Sequence, residues 1–245
     1  MRILYGMNPV RELLRAGGEG LSELWLAEGG TRGQAFGELE RLAKQAGAKV
    51  RAAPREKLDR LAGTDRHQGI VAVVADFRYS ELEELLEPAQ GKPPLLVVLD
   101  GVEDPHNLGA IVRSALALGA TGVVIPRDRA VGVTPAVAKA SAGAVERMRI
   151  ARVVNVAKTL ERMKEQGIWS VALAADGDRE LGAVDLKGPM ALVLGSEAEG
   201  IRPLVRRTCD MGARIPMSGV IDSLSVSAAA AVALYEAARQ RTRGG

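Results

Sequence analysis

The chain has 245 residues, 47% of them hydrophobic and 26% charged, which is typical of a globular protein with one large or two ordinary domains. One cysteine and two histidines exclude a disulfide framework and argue against a zinc, iron–sulfur or multi-histidine metal site. The net charge of +3 is too small to indicate a nucleic-acid partner. Because no apolar run approaches the ~20 residues of a membrane span or forms a signal-peptide core, the sequence predicts a cytoplasmic protein.

A change in charge divides the chain. Residues 79–92 carry four glutamates and one lysine, and they lie between two segments that are each mildly basic. Proline and glycine residues close this acidic stretch, as is typical of a linker that follows a helix. The sequence therefore predicts a first domain over residues 1–78, a linker over 79–94 and a second domain over 95–245.

The first domain alternates helical and strand-like segments. Asn8 is a candidate N-cap for a helix that ends near residue 14. A strand is predicted over 24–26, a helix over 34–46 with one apolar face, and a buried strand over 70–74. This order predicts a small α/β domain.

The second domain repeats this alternation more strongly. Buried strands are predicted over residues 95–99, 123–125, 171–173 and 191–194, with a short strand near 214–215. Helices are predicted over residues 108–118, 153–166 and 226–239, and Asn155 is the candidate cap of the second one. Strands that alternate with helices predict a parallel sheet covered on both faces.

Three polar loops follow predicted strands, at residues 100–109, 195–200 and 216–227. Ligands bind beyond the carboxyl ends of strands in open parallel sheets, so these loops are the candidate site. Neither the dinucleotide-binding nor the phosphate-binding glycine fingerprint occurs. Glu197 and Glu199 would repel a polyphosphate, which favours a cationic or zwitterionic ligand.

Four further features leave alternatives open. Arg113 is either an anion clamp or a solvated surface arginine, and periodicity does not separate the two. The alanine-rich segment 228–233 fits either a tight core or close approach by a second subunit. Cys209 is interpreted as a small buried hydrophobe, and His67 as structural unless a ligand reaches the first domain.

Taken in order, the three loops carry motifs of a known family. The motifs are Asp100-Gly101-Val102-x-Asp104-Pro105-x-Asn107-Leu108-Gly109-x-x-x-Arg113-Ser114, Leu194-Gly195-Ser196-Glu197-x-x-Gly200 and Ile215-Pro216-Met217-x-Gly219-x-x-x-Ser223-Leu224-x-Val226-Ser227. They resemble the motifs of the SpoU, or TrmH-type, branch of the SPOUT RNA methyltransferases. The amino-terminal residues, including His67-Gln68-Gly69-Ile70, are similar to the ribosomal-protein-like substrate-binding domain that precedes some members.

The resemblance implies an α/β fold with a trefoil-knotted, mostly parallel carboxy-terminal domain. It also implies S-adenosylmethionine as methyl donor, no metal, and a homodimer with the active site at the subunit interface. The implied cofactor contacts are Leu194, Gly195, Ser196, Ile215, Met217 and Leu224. The residues implied in catalysis and in ribose or phosphate positioning are Asn107, Arg113, Glu197 and Ser223.

The resemblance is strongest to the bacterial enzymes that methylate a guanosine 2′-hydroxyl in the P loop of 23S ribosomal RNA. The alternatives are a transfer-RNA D-loop guanosine, another ribosomal nucleotide, or an RNA-binding assembly factor with weak catalysis. The last arises because Ser225 occupies a position where the family usually has asparagine. A guanidinium is a poor base, which favours Arg113 as an electrostatic clamp, with Glu197 or an RNA phosphate oxygen as the proton acceptor.

Overall fold

The computed structural model describes residues 1–29, 34–88, 91–220 and 223–242, in which strands and helices alternate. The first elements are β1 (Arg2–Tyr5), α1 (Met7–Arg15), β2 (Leu21–Ala27), α2 (Gln34–Gln45), β3 (Lys49–Ala53), α3 (Arg55–Ala62), β4 (Ile70–Val74), α4 (Leu82–Leu86), β5 (Leu95–Asp100), α5 (Pro105–Ala117) and β6 (Gly122–Pro126). They are followed by α6 (Pro135–Ala140), β7 (Ile150–Val153), α7 (Val156–Glu165), β8 (Trp169–Leu173), β9 (Arg179–Glu180), β10 (Met190–Gly195), α8 (Pro203–Thr208), β11 (Met211–Arg214) and α9 (Val226–Thr242).

The chain forms two compact units. The first comprises Met1–Arg78 and Val133–Arg147, and the second comprises Tyr79–Gly132 and Met148–Gly245. These limits differ from the predicted ones at two stretches, because a segment of the predicted second domain joins the first unit and most of the predicted linker joins the second. The predicted domain limits stay a prediction.

Side-chain contacts explain the first difference. Arg2 donates two hydrogen bonds to the carboxylate of Glu146, at 2.7 and 2.6 Å, and both side chains are largely buried. Gly143 lies against the main chain of α1, where an added Cβ would come within 2.9 Å of the Asn8 carbonyl oxygen and the Pro9 Cα. The segment Val133–Arg147 is therefore an integral part of the first unit.

The start of the predicted linker is packed within the second unit. Leu85 and Leu86 of α4 are buried in the core of this unit, and Ser80 forms an isolated β-bridge with Ala151 of β7. An added Cβ at Gly122 would overlap the side chain of Leu85, at 2.6 Å. The acidic composition of α4 therefore reflects its solvent-exposed face, while its leucines anchor it.

The first unit contains a four-stranded sheet in the order β1-β4-β2-β3, and the predicted α/β class is confirmed. The prediction of Asn8 as N-cap is wrong. The helix α1 begins at Met7, after Gly6, whose φ of 91° suits glycine. The side-chain oxygen of Gln68 accepts a hydrogen bond from the Met7 main-chain nitrogen at 3.0 Å, so a distant residue supplies the acceptor that a local cap would give.

The second unit contains a seven-stranded sheet in the order β7-β6-β5-β10-β8-β11-β9, with all six neighbouring pairs parallel. The predicted parallel sheet is confirmed, and its interior strand β5 is buried along its whole length. Asn155 caps α7, as predicted, and accepts a hydrogen bond from the main-chain nitrogen of Lys158. Within the described ranges, no helix has the length and apolarity needed to cross a membrane.

Candidate active site

The sheet of the second unit brings the first two motif loops together. Strands β5 and β10 are neighbours, and their last residues, Asp100 and Gly195, are paired in register. The loops that follow them therefore start side by side, at the edge where parallel sheets bind ligands. The loop after β11 begins two strands away and reaches the same edge.

A cavity of about 550 Å³ lies beyond the ends of β8, β10 and β11. Its lining includes all six predicted cofactor-binding residues and the predicted Ser223. Its lining residues are Leu173, Ala174, Ala175, Leu194, Gly195, Ser196, Glu197, Gly200, Ile201, Ala213, Ile215, Met217, Ser223, Leu224, Ser225, Val226 and Ala229. The wall is thus mainly main chain and small or apolar side chains, with Glu197 as its one charged member among the described residues.

The second motif loop folds back on itself at the mouth of this cavity. The main-chain nitrogens and oxygens of Ser196 and Gly200 form a reciprocal pair of hydrogen bonds, at 3.2 and 2.9 Å. A Cβ added at Gly195 would overlap the backbone of Gly200, so the turn requires glycine at position 195. Gly200 itself has a φ of +66°, which also favours glycine. The glycine spacing of this motif therefore shapes a tight loop.

A second cavity, of about 490 Å³, adjoins the first. Its wall is more highly charged, and it contains the predicted Asn107. Its lining residues are Asp100, Gly101, Val102, Glu103, Asp104, Asn107, Arg129, Ser196, Glu197, Ala198, Glu199, Gly200, Arg202 and Val226. Ser196, Glu197, Gly200 and Val226 line both cavities, so the second motif loop and the start of α9 form the wall between them.

Glu197 is held at this boundary by two elements. Its Oε1 accepts a hydrogen bond from the Asn107 side-chain nitrogen at 3.2 Å and from the Val226 main-chain nitrogen at 3.3 Å. Asn107 lies in the first turn of α5 and Val226 begins α9. The carboxylate is therefore positioned by all three motifs, and its Oε2 is free of hydrogen bonds to the described residues.

An ion pair fixes the second loop to β5. The buried carboxylate of Asp100 accepts hydrogen bonds at 2.8 Å from both the main-chain nitrogen and the Nε of Arg202. The hydrogen bond from Arg202 to Asp100 raises the pKa of the guanidinium above its usual range, although partial burial opposes this. The sequence motifs did not predict this pair. An aspartate that ends an otherwise apolar strand was the available signal for a buried partner.

Ser225 caps α9. Its hydroxyl accepts a hydrogen bond from the Ala228 main-chain nitrogen at 3.3 Å, and its carbonyl oxygen accepts one from Ala229 at 2.9 Å. Serine and asparagine are both strongly favoured as N-caps. The difference from the family pattern at this position is therefore compatible with the same structural role.

The structure does not bring Arg113 to either cavity. Its side chain is exposed on α5 and makes no hydrogen bond or ion pair with the residues that the structure describes. The helix that carries it packs against α9. Whether Arg113 acts as an anion clamp stays a prediction.

The environments of His67 and Cys209 are typical of residues with a structural role. The buried His67 ring accepts a hydrogen bond from the Gly69 main-chain nitrogen through Nδ1 and contacts Asp59 through Nε2, at 3.0 and 2.7 Å. Cys209 is half-buried rather than fully buried, and desolvation raises the pKa of its thiol to about 12. No cluster of three or more potential metal ligands occurs in the parts of the chain that the structure describes.

Comparison with known proteins agrees with this geometry. The model of the SpoU rRNA methylase family matches residues 94–235. The chain belongs to the SpoU rRNA methylase family. A second family model, for RNA 2′-O ribose methyltransferase substrate binding, matches residues 3–80. The predicted enzyme class, an RNA 2′-O-methyltransferase, is confirmed by these two matches.

Individual SpoU relatives match nearly the whole chain. YacO of Bacillus subtilis, whose name assigns it to the TrmH family of tRNA/rRNA methyltransferases, is 47% identical over 96% of this chain and 94% of its own. The 23S rRNA (guanosine-2′-O-)-methyltransferase RlmB of Ralstonia nicotianae is 43% identical over 98% and 96%. The crystal structure of the SpoU methyltransferase AviRb of Streptomyces viridochromogenes with its cofactor AdoMet has a TM-score of 0.84 and 27% identity over 99% and 91%.

The first cavity fits S-adenosylmethionine, which the AviRb complex confirms as a cofactor of SpoU methyltransferases. Its volume lies within the ~300–1,000 Å³ of small-molecule sites. Ile215, Met217 and Leu224 give the lining an apolar part, and Gly195 brings main-chain polar groups to it. The carboxylate of Glu197 is a suitable neighbour for a sulfonium cation.

Proposed function

We propose that the protein methylates the 2′-hydroxyl of a guanosine in the P loop of 23S ribosomal RNA, with S-adenosylmethionine as methyl donor. The observation that carries this proposal is the position of Glu197, on the wall shared by the two cavities. A cofactor in the first cavity and a nucleoside in the second would meet at this side chain. A ribosomal substrate would place the reaction in the cytoplasm.

The bound cofactor would supply a methyl group that is already electrophilic, so the chain mainly has to align the acceptor and accept its proton. The free Oε2 of Glu197 is the group we assign to take the proton of the 2′-hydroxyl. Asn107 orients this carboxylate through their 3.2 Å hydrogen bond. Ser223 lines the cofactor cavity and is assigned to position the ribose.

Arg113 is assigned as the electrostatic clamp for the developing alkoxide and the neighbouring phosphate. It is absent from the linings of both cavities in its own subunit, which supports an active site that a second copy completes. The adjacent helix α9 exposes two large side chains one turn apart, Val232 at 40% and Tyr235 at 60%. A homodimer that covers this face would bury both of them.

A subunit-mixing experiment tests the dimer and the shared site together. Arg113→Ala and Glu197→Gln subunits are each expected to be nearly inactive as homodimers. After mixing in equal amounts and subunit exchange, each heterodimer would contain one site with both residues intact. Because about half of the dimers would be heterodimers, the mixture should recover about a quarter of the wild-type activity. A monomer in light scattering, or mixtures without recovery despite exchange, would contradict the shared site.

Ribose-methylation mapping of total RNA tests the substrate. A strain that lacks the protein should have an unmethylated P-loop guanosine in 23S RNA, and expression of the wild-type chain should restore the methyl group. Loss of methylation at a transfer-RNA position alone, or at another ribosomal nucleotide, would contradict the proposed target. An unchanged methylation map would contradict the proposed activity.

A further inference from the structure

The lining of the second cavity includes a cationic side chain to which the proposed chemistry assigns no role. Arg129 belongs to the loop after β6 and lines the cavity on the side of Gly101–Asp104. Its φ of 54° places it in the left-handed region, which side chains other than glycine and asparagine seldom adopt. Such conformations persist where surrounding contacts enforce them, and they cluster at functional sites.

Hydrogen bonds hold the loop on both sides of Arg129. The main-chain nitrogen of Val131 donates a hydrogen bond to the Val102 carbonyl oxygen at 3.1 Å. The guanidinium of Arg152 donates one to the Arg127 carbonyl oxygen at 2.8 Å. The loop is thus attached to the first motif loop on one side and to β7 on the other, so the main chain of Arg129 is held beside the site.

The two cationic side chains that line this cavity, Arg129 and Arg202, differ in whether they are paired. The guanidinium of Arg202 is already bound to Asp100, whereas Arg129 makes no hydrogen bond or ion pair with any residue in the described ranges. The other charged residues of the lining, Glu103, Asp104, Glu197 and Glu199, are all acids. An approaching polyanion therefore has one uncommitted cation of this lining to bind.

We propose that Arg129 binds a phosphodiester next to the target ribose, other than the one assigned to Arg113. A guanidinium offers a planar pair of donors that matches phosphate oxygens. With the phosphate on Arg129 and the acids repelling it elsewhere, the strand has one favoured orientation, in which the ribose lies toward Glu197. This inference rests on the proposed function, since it assigns an RNA strand to the second cavity.

Three variants separate this role from a merely structural one. Arg129→Ala removes the guanidinium. Arg129→Gly also removes it, and in addition relieves the strain of the left-handed backbone conformation. Arg127→Ala is the matched control, since it removes a positive charge two residues away but keeps the carbonyl oxygen that Arg152 binds. Steady-state methylation of a 23S transcript would be measured with each variant, varying RNA, cofactor and salt in turn.

We expect both Arg129 variants to raise the KM for RNA at least about tenfold, with the KM for S-adenosylmethionine within twofold of wild type. The loss of one phosphate contact should also flatten the slope of log KM against log salt by about 0.7 to 1. Arg129→Gly should keep or raise the melting temperature. The control should change neither the KM for RNA more than twofold nor the slope.

An unchanged KM for RNA in Arg129→Gly, or an equal increase in Arg127→Ala, would overturn the proposal. The proposed function fails separately, when the wild-type chain methylates no ribosomal RNA. In that event, equilibrium binding of the same transcript by the three variants still decides whether Arg129 contacts phosphate, because it requires no turnover.

Discussion

The two adjoining cavities of the second unit are built in different ways. The cofactor cavity is formed mainly by main chain and by small or apolar side chains, whereas the second cavity is lined by the charged ends of side chains from three loops. The shape of the first cavity depends on how closely two backbone segments approach each other. In the second, it depends on which charges are paired. Substitutions should therefore disrupt the first by steric overlap and the second by changing hydrogen bonds.

The largest effect is expected at Gly195. In Gly195→Ala the new Cβ overlaps the backbone of Gly200, so the second motif loop has to open. Forced overpacking of this kind costs about 1–3 kcal/mol or more, and S-adenosylmethionine affinity should fall about 100-fold. Isothermal titration calorimetry measures the loss.

Gly182→Ala is the matched control for this variant. An added Cβ at Gly182 has no atom within 4 Å, so the same substitution is made in open space. Its cofactor affinity should equal that of wild type. Normal cofactor binding by Gly195→Ala would show that the close approach at position 195 is not what shapes the cavity.

The next largest effect concerns the residue shared by both cavities. Glu197→Gln keeps a side-chain oxygen for Asn107 and Val226 but removes the proton acceptor. General-base catalysis is worth about 10²–10⁴-fold, and we expect the lower end of this range, a fall in kcat of about 100-fold. Single-turnover methylation at saturating RNA and cofactor measures this step.

The control for Glu197→Gln is Glu161→Gln, which changes an exposed carboxylate on α7 in the same way. Its kcat should stay within twofold of wild type. If Glu197→Gln retained full activity, the proton acceptor would be the RNA phosphate oxygen instead, and the assignment to Glu197 would be wrong.

A smaller effect is expected where a charge pair shapes the second cavity. Arg202→Ala leaves the Asp100 carboxylate buried with one main-chain donor, and the loss of its charged hydrogen bonds should lower the free energy of unfolding by about 2 kcal/mol. Urea denaturation measures the change. In the double variant Asp100→Asn/Arg202→Ala the loss should be smaller, since no charge is left unpaired, and an equal or larger loss would contradict the pairing.

The smallest effect is expected at the N-cap of α9, in the wall of the cofactor cavity. Ser225→Asn should change the free energy of unfolding by less than about 0.5 kcal/mol, because both residues are good caps. Ser225→Ala should cost about 1 kcal/mol for the same reason. Thermal unfolding of both variants measures these two changes in stability. A twofold or greater gain in kcat for Ser225→Asn would show that the amide does more than cap the helix.

The sequence alone was sufficient for elements that rest on local patterns. The apolar run at residues 95–99 and the Asn155 cap produce strand β5 and the start of α7, because burial and capping are decided within a few residues. The motif loops placed nine of the ten predicted site residues in the two cavities, although the roles of these residues stay predictions.

What sequence reasoning missed depends on partners distant in the chain. The start of α1 is satisfied by Gln68, so the local signal at Asn8 misled. Arg2 pairs with Glu146, and Asp100 pairs with Arg202, across 144 and 102 positions respectively. The loop that contains Arg129 is likewise held by hydrogen bonds with Val102 and Arg152, which lie outside it. Periodicity and spacing contain no information on such pairings.

The register between β5 and β10 has a consequence for the order of events in folding. It pairs residues about 95 positions apart, and the remaining walls of the cofactor cavity come from residues up to Ala229. Such distant contacts are slow to form, because the loop-closure entropy is lost before they can stabilise the chain. On the ribosome, the cofactor cavity can close only after Ala229 has been synthesised. A nascent chain that stops short of α9 would have both central strands and no place for a methyl donor.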